Sequence, residues 1–155
     1  MMSEITNIKA SQLLNYMINL KENLGFTLLL DITAIDNLNK SHPSSTRFEL
    51  VYILRHSAFE ETKVIKVAVE EPEEGVESIS SLFSSADWAE REVYDQYGIH
   101  FKNHKMLKRL LNHNEFEGHP LRKDYEITKG QYCTTSQSLM DEMHPLLKER
   151  NLNLQ

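Results

Sequence analysis

Four of the seven histidines, His100, His104, His113 and His119, fall in one stretch together with Glu115 and Glu117. Imidazole and carboxylate are ligands for zinc or iron, so this set could form a metal site. A second group of acids, Asp95 with Glu90 or Glu92, could mimic an acid–base pair. Position argues against both. Gly98 should end the helix that precedes His100, so the four-residue spacing of His100 and His104 does not secure a common face. No cleft or nucleophile accompanies the acids. Cys133 is the single cysteine. That excludes an internal disulfide framework, a cysteine-rich zinc site and a four-cysteine iron–sulfur cluster. The five glycines are isolated, which leaves no Gly-rich nucleotide loop.

Charge is distributed unevenly. The 155 residues hold 17 Lys and Arg against 23 Asp and Glu, a net charge of −6 that opposes non-specific nucleic-acid binding. Between His100 and Tyr125 the sign reverses. Lys102, Lys105, Lys108, Arg109, Arg122 and Lys123 outnumber Glu115, Glu117 and Asp124. A basic segment in an acidic chain could meet phosphate, nucleic acid, an anionic lipid surface or an acidic protein face. An apolar content of 40% with 26% charged residues fits a soluble globular domain. The apolar runs fall short of a membrane span. Glu4, Asn7 and Lys9 interrupt the amino terminus, so no signal peptide is visible and the cytosol is the expected compartment.

Positioning these groups needs a scaffold. Leu13, Met17, Leu20 and Leu24 recur at helical spacing, with Ser11 as a possible N-cap and Gly25 as a stop. Phe26 to Ile35, Arg47 to Arg55 and Lys63 to Val69 read as strands. In the second, Phe48, Leu50, Tyr52 and Leu54 share a face; in the third, Ile65, Val67 and Val69 do. The expected class is α+β: an N-terminal helix and a mainly antiparallel sheet with helices on one face, followed by a loop-rich, extended C-terminal segment. The acidic run Glu70 to Glu77 reads as a solvated connection.

A further helix is predicted from Ser84 or Ser85, as N-cap, to Tyr97, with Gly98 as its stop. Ala89, Val93 and Tyr97 lie on one face. Arg91 and Asp95 are spaced to pair. Truncating Trp88 is expected to damage folding if its ring is buried. The charges crowding this helix read either as a solvated face or as groups paired across a contact with another protein.

The run Trp88 to Ile99 resembles a signature of the 30-kilodalton subunit of respiratory complex I, the C subunit of bacteria. Glu90, Arg91 and Glu92, then Asp95, Gly98 and Ile99, form a first block. His104, Leu107, Lys108, Arg109, Leu110 and Leu111 form a second, and Gly118 to Tyr125 (Gly-His-Pro-Leu-Arg-Lys-Asp-Tyr) form a third. Gln96, Lys105 and Lys108 depart from the usual pattern.

The resemblance implies a non-catalytic structural and assembly subunit of the peripheral arm of a proton-pumping NADH:quinone oxidoreductase. It implies a peripheral location on the cytoplasmic side of the inner membrane, reached only through the complex. The implied partners are the large quinone-site subunit (D type, 49 kilodaltons) and iron–sulfur subunits of the B and I types. FMN and iron–sulfur clusters would sit in partner subunits, and quinone would be a substrate of the whole. The implied partner interface comprises Glu90, Arg91, Glu92, Asp95, His104, Arg109, Gly118, His119, Pro120, Leu121, Arg122, Lys123 and Asp124. His104 and His119 then make structural contacts, and we expect no catalytic, cofactor-binding or metal-ligating residue in this chain. Arg91→Ala and Arg122→Ala should lower assembly more than the stability of the isolated domain.

Three segments are expected: an α+β domain at 1–99, basic docking loops at 100–126, and a strap with a short helix (Ser136 to Lys148) at 127–155. The strap helix either folds back or grips a partner. Other readings remain open. One is a homologous subunit of a membrane-bound hydrogenase or another donor-specific complex I-like enzyme. Others, of different class, are a stand-alone metal-dependent hydrolase on the His and Glu set and a small RNA-binding module on the basic segment.

Overall fold

The structure, a computed structural model, describes residues 4–38, 46–128, 130, 131, 133, 134 and 137–139. Its centre is a four-stranded sheet of β1 (Glu4–Lys9), β4 (Thr62–Val69), β3 (Phe48–Arg55) and β2 (Leu28–Asp36), in that spatial order. β2, β3 and β4 form an antiparallel meander, while β1 lies parallel to β4. Helix α1 (Leu13–Glu22), entered through a 3-10 turn at Ala10–Gln12, links the two edge strands. Helix α2 (Ala86–Tyr97) follows, and short strands β5 (Val76–Glu77) and β6 (Phe101–Lys102) pair in parallel on either side of it in sequence.

The apolar periodicity matches the observed core. Leu13, Met17 and Leu20 are fully buried, as are Leu50, Tyr52, Leu54, Ile65 and Val67, and one core joins both helices to the sheet. The alternation in β3 and β4 works because register sets Leu50 opposite Val67 and Tyr52 opposite Ile65. α1 ends before Leu24, which is exposed, and Ser11 lies in the 3-10 turn, so Gln12 occupies the N-cap without a side-chain bond.

Two elements differ from the pattern. The interrupted amino terminus forms a strand, β1. It lies at a sheet edge, where Glu4 and Lys9 are compatible with a strand that buries little. In β2 the buried residues include Leu29, Ile32 and Ala34, which breaks strict alternation. The register slips between Leu29 and Asp31, so Leu30 is the extra residue of a bulge, and Leu29, Ile32 and Ala34 oppose Leu54, Tyr52 and Leu50.

Gly75 shows why the β5–β6 ladder needs glycine. Its φ is +65°, and a Cβ there would lie 1.9 Å from the His100 carbonyl oxygen, which accepts the Val76 N–H. No helix among the described residues is long and apolar enough to cross a membrane. The helix expected from Ser136 to Lys148 lies largely outside the described residues.

Candidate functional site

Ser85 flanks the start of α2 at the N-cap position and Gly98 its end at the C-cap, where a φ of +72° places the glycine in the left-handed region. The Ser85 hydroxyl does not cap the helix; it donates to the Leu29 carbonyl at 3.2 Å and ties the helix start to β2. The surprise is which side chains face inward. Glu90 and Asp95 are both 0% exposed, although charged residues are rarely buried without partners.

Glu90 accepts from the Ser78 hydroxyl at 2.6 Å and from the Ile79 N–H at 2.7 Å. Burial pushes its carboxyl up to about 7, against the two hydrogen bonds, and the Asp87 charge adds to the rise. Because the folded value exceeds the unfolded one of 4.5, ionising Glu90 costs stability as pH climbs through that range. Glu90→Gln keeps the shape and removes the ionisation. It should match the parent below pH ~4 and exceed it above pH ~7.5 by at most about 3 kcal/mol. Urea denaturation at the two pH values checks this; equal stability at both would refute it.

Asp95 does not pair with Arg91. Its Oδ1 accepts from the Arg109 guanidinium at 2.7 Å and from the Asn112 side-chain amide at 3.1 Å. Its Oδ2 accepts the backbone N–H groups of Leu110, Leu111 and Asn112 at 3.1, 2.8 and 2.8 Å. Burial alone would raise this carboxyl; the Asn112 amide, the Arg109 guanidinium and the Leu111 amide hold it at about 2. Arg91 instead donates to the carbonyls of Lys108 and Arg109, both at 3.3 Å, and lies over the Trp88 ring.

The carbonyl end of α2 is closed by the basic loops. A helix leaves its last carbonyls without internal donors, and its dipole favours cations there. Here Arg109 and His119 hydrogen-bond the Asp95 carbonyl at 3.2 and 3.0 Å. The Leu121 N–H donates to the Gln96 carbonyl at 3.1 Å, and Arg122 Nε to the Tyr97 carbonyl at 2.5 Å. Arg109 also donates to the Gly118 carbonyl at 2.9 Å. The absent Gly98 side chain makes room: a Cβ would lie 2.5 Å from both His119 and Arg122. Burial, with the Arg122 and Arg109 charges, holds His119 below its usual range. The three sequence blocks are therefore one structural unit.

A second tether joins this unit to the sheet. Buried Asp36 accepts the Lys123 N–H at 2.9 Å and two Arg47 donors at 3.3 Å, while Arg47 reaches Asp124 at 2.7 Å. Burial would raise Asp36, but the Arg47 guanidinium and the Lys123 and Leu38 amides hold it down. Sequence reading misses Arg47 and Ser78 here and marks Asp36 only as strand punctuation. Their partners lie 11 to 87 residues away in the chain, and no local motif announces them.

The catalytic alternatives lose their geometry. Glu90 and Asp95 serve different partners, and neither they nor Glu92 line the cavity of about 490 Å³ that borders Lys9, Glu71 and Lys102. His104 packs against Asp87, with Nδ1 accepting the Met106 N–H at 3.1 Å, and His119 serves the helix end. The four histidines do not converge. Among the described residues, His113, Glu115 and Cys133 are brought together.

Beside exposed charges such as Glu92 and Lys105, three large apolar side chains remain outward. Trp88 is 63% exposed, Met106 59% and Leu111 64%, all carried by α2 or the segment bonded to it. Trp88 is thus no core residue. Trp88→Ala should cost under about 1 kcal/mol of folding stability, as a surface change with one cation–π contact does. A thermal melt tests this.

Residues 6–131 match the family described as respiratory-chain NADH dehydrogenase, 30 Kd subunit. The chain belongs to that family. It is 38% identical over 123 residues to the NADH-quinone oxidoreductase C subunit of Trichlorobacter lovleyi, covering 79% of this chain and 74% of the relative. The C subunit of Citrifermentans bemidjiense is 38% identical over 125 residues, with 80% and 75% covered. An NADH-quinone oxidoreductase C/D chain of Bdellovibrio bacteriovorus is 39% identical over 76% of this chain and 20% of its own length.

Among solved structures, a trypsin-resistant fragment (1–134) of Nqo5 superposes with a TM-score of 0.61 at 30% identity. The match covers 66% of this chain and 81% of the fragment. A chain of the membrane-bound sulfane sulfur reductase, an archaeal respiratory membrane complex, shares the fold at TM-score 0.65 and 20% identity, over 89% and 75% of the two chains. Helix α2 and the loops that close its carbonyl end all lie within the residues matched to the family.

Proposed function

We propose that this chain is a non-catalytic structural and assembly subunit of the peripheral arm of a complex I-like NADH:quinone oxidoreductase. The observation that carries this reading is the division of labour around α2. The charged groups of the signature blocks are largely consumed inside the chain, and they lock in place a segment that presents Trp88, Met106 and Leu111 to the outside. Large exposed apolar side chains on a rigid support suit a protein–protein contact, where aromatic anchors carry most of the binding energy. Of the thirteen residues implied as interface, Glu90 and Asp95 act from within. Glu92, Leu121 and Lys123 are exposed and available for contact, and Asp124 contributes from its bond to Arg47. Arg91 and Arg122 donate to backbone carbonyls, so their truncation should weaken the domain as well as its assembly.

The favoured partner is the large quinone-site subunit of the D type. A relative that carries C and D in one chain supports this, since fusion keeps functional neighbours together. Iron–sulfur subunits of the B and I types complete the contacts. FMN and the clusters belong to partner subunits, and the location is the cytoplasmic side of the inner membrane, reached through the complex. Trp88→Ala with Leu111→Asp, introduced into the native cell, tests the reading. The isolated chain should fold normally, whereas affinity for the large subunit should fall at least about 30-fold, the equivalent of about 2 kcal/mol at a hot spot. Undiminished assembled complex and quinone reductase activity would reject it.

A further inference from the structure

The loop that follows the second signature block and the strap that follows the third are drawn together around Glu115. Its carboxylate accepts the Thr134 backbone N–H at 2.8 Å and the Thr134 hydroxyl. Alongside, the Gln131 side chain accepts the Glu117 N–H and donates to the Glu117 carbonyl, both at 3.0 Å, and donates to the Tyr125 hydroxyl. Phe116 stacks near Tyr125 and meets the edge of His113 at 5.6 Å between ring centres. These bonds place Cys133 beside Glu115 and His113. One donor atom from each of the three lies within 4.8 Å of the others. His113 Nδ1 is buried and has no hydrogen-bond partner among the described residues, an uncommon state for a buried polar atom.

We propose that His113, Glu115 and Cys133 form a zinc-class metal site that pins the strap to the docking loop. Thiolate, imidazole and carboxylate together select zinc over the hard oxygen-loving cations. A tetrahedral ion with bonds of about 2.0–2.3 Å sets these three ligand atoms about 3.3–3.7 Å apart, so small side-chain adjustments close the set. The Thr134 bonds do not compete. Each carboxylate oxygen has a second lone pair, and such outer hydrogen bonds orient a ligand. The fourth position is left to water or to a group from a neighbouring subunit. This departs from the expectation that the chain contains no metal ligand. It stands independently of the assembly role, because it uses none of the α2 contacts.

The test uses the full-length chain, reduced and stripped with a chelator. Titration with Co²⁺ should produce a thiolate-to-cobalt charge-transfer band in the near ultraviolet and intense tetrahedral bands in the visible. Zinc should bleach both at one ion per chain. Cys133→Ser, a near-isosteric change on the strap, should abolish the charge-transfer band. His113→Ala and Glu115→Gln should weaken zinc by at least the roughly 10–100-fold that loss of even an outer partner costs. Cobalt binding without a thiolate band, or zinc binding equally tight in Cys133→Ser and Glu115→Gln, would mean adventitious surface binding and overturn the site. The cobalt spectrum of the unmodified chain decides the matter even where a variant fails to fold.

Discussion

Asp95→Ala is expected to destabilise the isolated chain by about 3–5 kcal/mol, the cost of leaving one partner of a buried ion pair uncompensated. The substitution strips Arg109 of its carboxylate and leaves three consecutive amides, Leu110 to Asn112, without an acceptor. Asn is no remedy, because its amide group would direct hydrogens at either Arg109 or the three N–H groups. The pH dependence has a definite sign. The folded carboxyl titrates at about 2 against 3.8 for its ordinary value, so its contribution is complete above pH ~4 and is lost as pH falls through about 2. That difference corresponds to about 2 kcal/mol. Urea denaturation between pH ~2 and ~7 should show an acid-side loss that is larger in the parent than in the variant by about that amount, the remainder coming from Asp36 and Asp124. Hydrogen exchange should show the Leu110, Leu111 and Asn112 amides losing protection. A variant as stable as the parent, with those amides still protected, would remove Asp95 from its central place.

Gly98→Ala is the second large effect. A residue with a Cβ held in the left-handed region costs about 1–2 kcal/mol. The new methyl would also meet His119 and Arg122 at 2.5 Å, forcing at least one off the helix end. A lost charge-assisted bond adds about 1.5–3 kcal/mol, so the expected total is about 2.5–5 kcal/mol. Gly130→Ala is the control. Nothing lies within 4 Å of its Cβ position, and the change should be within about 0.5 kcal/mol. Thermal or urea unfolding of the two variants measures the contrast. A Gly98→Ala protein that melts with the parent would show that the third block can seal α2 without this opening.

Both predictions concern contacts that sequence periodicity does not show. The apolar repeats of α1, β3 and β4 are legible because burial of one face leaves a period of 3.6 or 2 in the residues themselves. The stop at Gly98 is legible too, since a left-handed helix cap selects glycine. β1 is not, because an edge strand need bury little. The bulge at Leu30 is not, because one extra residue shifts the phase of the alternation.

The charged face of α2 is the hardest to judge. Glu90, Arg91, Glu92 and Asp95 read as a surface, and two of them are interior. A carboxylate is buried only when donors surround it. For Asp95 the donors come from a loop 14 to 17 residues further on, and for Asp36 one comes from 87 residues away.

By itself, the sequence determined most of the elements, the α+β class and the family, since local pattern and ordered motif blocks are properties of a string of residues. Only the tertiary structure decided that the blocks seal one helix end, that Glu90 and Asp95 point inward while Trp88 points out, and that Cys133 lies beside His113 and Glu115. The physical reason is that the burial and pairing of a polar group depend on which distant donors the fold delivers to it, and that is settled by packing rather than by neighbours along the chain.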